Sequence, residues 1–323
     1  MRALLKALFI AAIVAAVPHS IHAQWPDYPS PDVPKTPDGK PNLEGPTPRT
    51  PDGKPDFTGL WAAGRGGGRG GQRGGAAARG AGAGGQAAAA RGGAGGQAAP
   101  PQDAQGGRGQ RAAGAGAAAP DGIPVASFGN AGQGFPGGLP FQPWADELMK
   151  KRQADGSKDN PDALCLPMGF LQFHNHPEPR KMVQTPRLLV MIYEANHGLR
   201  QIFMDGRQLP KIEDVEPWYY GYSVGRWQGD TLVVETTGFT DLQWLDVRGS
   251  PLTSQAKVTE RFRRPNFGSL EIEITVDDPK AYTKPWTTRV YQRIMLDTEL
   301  IEFICEERDA IHYVGATPAA PAK

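Results

Sequence analysis

The chain has 323 residues, with 35 lysines and arginines against 34 aspartates and glutamates, a formal net charge of +1. A balance this close to neutral excludes a global field that would recruit nucleic acid or an acidic surface. No phosphate loop, dinucleotide fingerprint or CxxC pair is present, so the commonest cofactor signatures are excluded as well.

Met1-Arg2-Ala3-Leu4-Leu5-Lys6 leads into an apolar run from Ala7 to Val17 and then Ile21-His22-Ala23. A basic start, a short apolar stretch and a small closing residue predict a signal peptide over residues 1–23, with the mature chain starting near Gln24. No later stretch approaches the roughly 20 apolar residues of a membrane helix, so no transmembrane segment is expected after signal cleavage, and the predicted location is periplasmic or secreted. Only two cysteines occur, Cys165 and Cys305. An exported chain meets oxidising conditions, so they are predicted to form a disulfide, the alternative being two buried free thiols.

Residues 24–61 form a Pro-rich arm in which Thr36-Pro37-Asp38-Gly39-Lys40-Pro41 recurs as Thr50-Pro51-Asp52-Gly53-Lys54-Pro55. Proline sets φ and Asp-Gly supplies a tight turn, so each copy predicts one turn of an extended arm. Residues 62–119 collapse to Gly, Ala, Arg and Gln with a single acid, Asp103. Such a linker cannot bury enough apolar surface to offset its ordering entropy and is predicted to be disordered. Its Arg65-Gly66-Gly67 and Arg69-Gly70-Gly71 resemble RNA-binding tracts, but the aromatic rings that would stack on bases are missing, and no nucleic-acid partner is expected.

Residues 120–180 read as a lead-in of helix and loop, with Pro143 to Arg152 helical: proline and acids come early, bases late. From residue 181 to about 315 the pattern changes to strands, ahead of a disordered tail over 316–323. Leu270, Ile272, Ile274 and Val276 alternate with polar residues, which places them on one face of a strand. Similar runs occupy Arg187 to Glu194, Leu199 to Met204, Tyr222 to Trp227, Thr231 to Thr237, Lys257 to Arg263, Thr287 to Met295 and Leu300 to Glu306. Gln228-Gly229-Asp230 and Pro265-Asn266-Phe267-Gly268 read as hairpin turns. Consecutive strands, short hairpins and no crossover helices predict a mainly β fold, an antiparallel meander closed into a barrel-like domain.

Gly221-Tyr222-Ser223-Val224-Gly225-Arg226-Trp227-Gln228-Gly229-Asp230-Thr231-Leu232-Val233-Val234-Glu235-Thr236, followed by Glu260-Arg261-Phe262-Arg263-Arg264 and the stretch from Asp278 to Trp286, resembles a functionally uncharacterised family of exported bacterial β-proteins. The resemblance runs from about Pro140 to Glu307 and brings no activity with it. Gly59-Leu60-Trp61 is similar to the Gly-x-Trp element of lipocalin-like (calycin-like) barrels. That second likeness implies a small, largely apolar ligand in the barrel or at its mouth.

Three constellations could carry chemistry. In extended backbone His174, His176 and Glu178 would project to one side, offering two nitrogens and a carboxylate to a divalent metal, or to acid-base catalysis with His197 nearby; ordinary hydrogen-bonded loop histidines are the alternative. Glu194, His197, Arg200, Asp205 and Arg207 surround two adjoining strands and could supply an acid-base pair, or merely a turn with a surface ion pair. Trp218, Tyr219, Tyr220 and Tyr222, with Phe239, Trp244, Asp241 and Asp246 one hairpin later, could form an aromatic ligand-binding lip at the barrel mouth, or a plug. Ser223 sits in a Gly-x-Ser-x-Gly string, but a strand continuing into a hairpin is not the strand-to-helix turn that a nucleophile elbow requires. The expected function is binding of a small amphipathic or apolar molecule at that mouth. The alternatives are a periplasmic hydrolase or lyase using His174, His176 and Glu178, with or without a divalent metal, and a structural envelope protein. Oligomeric state is not legible in the sequence.

Overall fold

A computed structural model of the chain describes residues 28–64, 121–214, 216–303 and 305. The expected signal peptide, almost all of the Gly/Ala/Arg linker and the tail lie outside the described residues.

The strands are β1 (Gly59–Ala63), β2 (Arg180–Gln184), β3 (Leu188–Tyr193), β4 (Leu199–Phe203), β5 (Tyr222–Gln228), β6 (Thr231–Thr237), β7 (Gln243–Trp244), β8 (Pro251–Leu252), β9 (Lys257–Asn266), β10 (Ser269–Asp277) and β11 (Trp286–Met295). Two α-helices precede β2: α1 (Pro143–Ala154) and α2 (Phe170–Asn175). All strands except β7 and β8, which pair with each other, close one barrel in chain order, with β1 hydrogen-bonded to both β2 and β11. The mainly β barrel expected from the alternation is therefore present. The strand expected over Leu300 to Glu306 is not seen among the described residues, of which 300–303 are irregular.

The meander is not wholly antiparallel. Nine strands that alternated strictly in direction would bring two parallel neighbours together at closure, so one pair must run parallel. That pair is β4 and β5, with Ile202 opposite Ser223 and Phe203 opposite Val224. A parallel pair needs a connection that returns the full strand length, which explains the long link between Phe203 and Tyr222. At β5–β6 and β9–β10 the hairpins turn in two residues, Gly229-Asp230 and Phe267-Gly268.

β1 is the end of the Pro-rich arm, so the arm completes the barrel. Its Trp61 is fully buried, donates from Nε1 to the Phe57 carbonyl at 2.9 Å and lies under the Arg264 guanidinium, 4.9 Å from the ring centre.

The interior is filled. Leu270, Ile272, Ile274 and Val276 of β10 are fully buried, as the alternation requires. The remaining space is taken by α2, in which Phe170, Leu171, Gln172, Phe173 and His174 are all buried. Residues 170–175 were expected to be loop leading into extended backbone. They are instead a short helix, because its polar ends are satisfied from outside the element: the Gln243 side chain accepts the Phe170 N–H at 2.9 Å, and the buried Arg180 guanidinium donates to the carbonyls of His174, His176 and Glu178 at 2.7, 2.7 and 2.8 Å. The helix starts against β7: a Cβ on Gly169 would lie 1.5 Å from the Trp244 carbonyl oxygen, so only glycine allows the approach.

Cys165 and Cys305 are disulfide-bonded, with Cα atoms 5.6 Å apart and 140 residues between them in sequence. The bridge ties the segment after β11 to the 3-10 turn Pro161–Leu164 that leads into α2. Removing it with Cys165→Ser/Cys305→Ser is expected to lower unfolding stability by about 2–5 kcal/mol, measured by urea denaturation with and without reductant; reductant should then have no further effect on the double variant.

Candidate functional site

Inside the barrel, four strands and α2 each contribute one polar side chain to a single cluster. In β4, Arg200 shares the inward phase of Ile202; in β6, Thr236 shares that of Leu232 and Val234; in β9, Glu260 falls between Val258 and Phe262. Ser223 stands directly opposite Thr236 across the β5–β6 pair. Arg200 donates to Glu260 through both terminal nitrogens, to Ser223 Oγ at 3.2 and 3.0 Å and to Thr236 Oγ1 at 3.0 Å. Its guanidinium also lies 4.7 Å from the centre of the Phe170 ring. His174 donates from Nε2 to Glu260 Oε1 at 2.8 Å, while Gln292 Nε2 lies 3.5 Å from Nδ1, an arrangement that fits the neutral imidazole protonated at Nε2.

All five groups are buried, and their protonation follows from that. Burial opposes the charge on Glu260, but Arg200 and His174 outweigh it and hold the carboxyl at about 2. Burial pushes the His174 imidazole below its ordinary value despite the bond to Glu260. Burial likewise pushes the nearby Tyr193 phenol up to about 12. The cluster is a buried ion pair with saturated hydrogen bonding.

The predicted site residues fall into separate places. His174 points into the cluster, whereas His176 turns away: its Nδ1 lies 2.6 Å from Glu178 Oε2 and its Nε2 3.8 Å from Asp162 Oδ2. Burial opposes charge on His176, but Asp162 and Glu178 overcome it and raise the imidazole above its ordinary value. The expectation that His174, His176 and Glu178 share one side assumed extended backbone and fails because His174 is helical. Among the described residues no group of three His, Cys, Asp or Glu side chains that could hold a metal ion is found. His197 lies in the short 3-10 turn Ala195–His197. Glu194 accepts the Ile301 N–H at 3.1 Å, and Asp205 pairs with Arg207 at 2.6 Å on the exterior, while Arg200 faces inward, so that group is divided too.

Nor do the aromatic residues form one lip. Tyr220 packs inward on Phe173 with ring centres 4.2 Å apart, next to Tyr193. Trp218, half-exposed, neighbours Tyr222 at 5.8 Å, and Tyr222 accepts a hydrogen bond from Arg207 at 2.8 Å. The Tyr219 carbonyl accepts from Gln243 at 2.6 Å. Trp244 is buried under Arg152, 4.4 Å from its ring centre, and the buried Asp246 accepts from Ala131 N, Ser250 N and Ser250 Oγ.

A different surface offers space. Between α1 and the β7–β8 hairpin lies a groove of about 430 Å³ lined by Trp144, Leu148, Arg152, Asp241, Pro251, Leu252, Thr253 and Lys280. Its walls are anchored: Asp278 accepts from Thr253 N and Oγ1, both at 2.8 Å, and Trp144 Nε1 donates to the Lys280 carbonyl at 2.7 Å. Arg152 donates to the Gly249 carbonyl at 2.7 Å and stays cationic, although burial lowers its pKa to about 10. Lys280 and Asp241 face each other at 3.8 Å across the rim. The sequence signal for this groove was Trp144 beside the charges of a short helix.

Comparison with protein-family models, with curated proteins and with solved structures finds no match to the chain.

Two outcomes are expected at the cluster. Glu260→Gln leaves Arg200 without its counter-charge and should cost about 3–5 kcal/mol in urea unfolding. Stability should also fall with acid in the unaltered protein. The lowered Glu260 contributes stability that is present above its unfolded value of 4.5 and lost as pH falls toward about 2. The lowered His174 acts in the same direction, because below 6.5 the unfolded chain takes up a proton that the folded chain refuses. The urea midpoint should therefore drop from about pH 6 down to about pH 2, and the part of the drop below about pH 4.5 that Glu260 supplies should vanish in Glu260→Gln.

Proposed function

We propose that this is an exported binding protein for a small amphipathic molecule with a flat apolar body and an anionic head, held in the groove beside α1. The observation that carries this reading is the groove itself: apolar walls from Trp144, Leu148, Pro251 and Leu252, with cations from Arg152 and Lys280 at its edge. Its volume of about 430 Å³ falls in the range of small-molecule sites, and its lining pairs four apolar residues with Arg152, Asp241, Thr253 and Lys280. With the barrel core filled by α2 and the Arg200 cluster, the barrel acts as a scaffold and the ligand sits on its outer wall instead of at the 217–222 loop. The Cys165–Cys305 bridge supports an oxidising, extracytoplasmic setting.

The filled interior equally favours a second reading, that of a structural envelope protein. A hydrolase or lyase built on His174 is less well supported, because His174 and Glu260 are fully buried and a substrate reaching them would have to displace α2.

Anilinonaphthalene sulfonate, an apolar body with one anionic group, distinguishes the readings by fluorescence titration. Saturable binding is expected, weakened about tenfold or more, or ~1.4 kcal/mol, by Trp144→Ala and by Lys280→Glu, and unchanged in Trp218→Ala. Binding that Trp144→Ala and Lys280→Glu leave untouched would remove the groove from consideration; no binding at all would leave the structural reading standing.

A further inference from the structure

The fold satisfies its fully buried arginines one by one. Arg200 pairs with Glu260, Arg180 donates to three carbonyls, and Arg264 donates to the carbonyls of Asp56 and Phe267. Arg152, near the end of α1 and on the wall of the groove, is treated differently. It is half-buried, and its guanidinium makes one hydrogen bond, from Nη1 to the Gly249 carbonyl at 2.7 Å, with no ion pair among the described residues. Asp246 and Asp159 act on it only as charges further off.

The carboxylates around the groove are committed elsewhere. Asp246 accepts Ser250 N on one oxygen and Ala131 N and Ser250 Oγ on the other, and Asp278 accepts Thr253 N and Oγ1. Asp241 accepts Ser254 N at 2.8 Å and faces Lys280. Arg152 is nonetheless fixed in place. Its guanidinium lies 4.4 Å from the centre of the Trp244 ring, and its stem passes Gly249, where a Cβ would come within 2.6 Å of Arg152 Cδ. A partly desolvated cation that is held but unpaired costs free energy, which an anion entering the groove would recover.

We infer that Arg152 reads the head of the ligand and that this head is a single carboxylate, so that the groove selects apolar monocarboxylates. The inference rests on the groove being the binding site. With Nη1 engaged by Gly249, Nε and Nη2 remain, and their N–H groups lie side by side on one edge of the guanidinium, at the spacing that the two oxygens of a carboxylate match. Charge narrows the choice further. Arg152 and Lys280 against Asp241 leave one positive charge on the lining, which a carboxylate neutralises and a phosphate dianion exceeds.

The test is isothermal titration of the full chain with four ligands that share one apolar body: naphthoate, naphthalenesulfonate, naphthyl phosphate and naphthamide. Naphthoate is expected to bind tightest, and the uncharged naphthamide at least about tenfold more weakly. Arg152→Lys keeps the charge and loses the two-bond edge; it should weaken naphthoate at least about fivefold and leave naphthamide within about twofold, a split that a merely structural role would not produce. Trp144→Ala should weaken all four alike. The ligand series in the unaltered chain stands whether or not the arginine variant folds. Naphthamide, naphthalenesulfonate or naphthyl phosphate binding as tightly as naphthoate, or Arg152→Lys weakening naphthoate and naphthamide equally, would overturn the inference, while losses in Trp144→Ala would keep the groove as the site. Binding of none of the four would remove the groove reading and this inference with it.

Discussion

A guanidinium and a carboxylate buried together in the centre of the barrel constrain everything around them. Removing two such ions from water costs several kcal/mol each, and the pair is tolerable only when its remaining hydrogen-bonding capacity is met. Ser223 and Thr236 meet that of Arg200 from two strands, and His174 meets that of Glu260 from α2. The helix must therefore enter the barrel. Once it does, its own carbonyls need a donor at the same depth, which Arg180 provides, and its start needs the one residue without a Cβ, Gly169. One buried charge pair thus accounts for the plug and for the second buried arginine.

The open groove of this barrel lies on its outside. The segment between β6 and β9, which holds the β7–β8 hairpin, is fastened by buried carboxylates: Asp246 binds Ala131 and Ser250, and Asp278 binds Thr253. A loop held in this way gives the groove a fixed floor at the buried Pro251 and Leu252, and α1 supplies the opposite wall with the exposed Trp144. The arm works differently. It contributes β1 to the closure, seats residues 43–45 on the β9–β10 turn and 49–57 on the β5–β6 turn, and leaves only residues 37–41 of its first repeat in solvent.

Much of the barrel was legible in the chain. The inward residues of β10 alternate strictly, and the strands at Leu188–Tyr193, Thr231–Thr237 and Trp286–Met295 fall where period-two runs predict them. β1 and β2 lie outside the period-two runs because each is short, and a Pro-rich arm or an Arg-Lys start hides their phase; only the Gly59-Leu60-Trp61 element pointed to β1. The cluster was also within reach: Arg200 in phase with Ile202, and Glu260 in phase with Val258 and Phe262, are charges at positions where alternation demands apolar groups. His174 was misread because a six-residue buried helix has neither the length for an amphipathic period nor a side-chain cap of its own.

Sequence by itself determined which residues alternate, where the chain turns and which cysteines were available to pair, since these depend on neighbours along the backbone. Tertiary structure decided that β4 and β5 run parallel, that His174 faces Glu260 while His176 faces Glu178, and that the core is filled while the groove is open. Those outcomes depend on closing a barrel with an odd number of strands and on satisfying a buried charge pair from elements far apart in the chain, and the order of the residues does not say which distant elements meet.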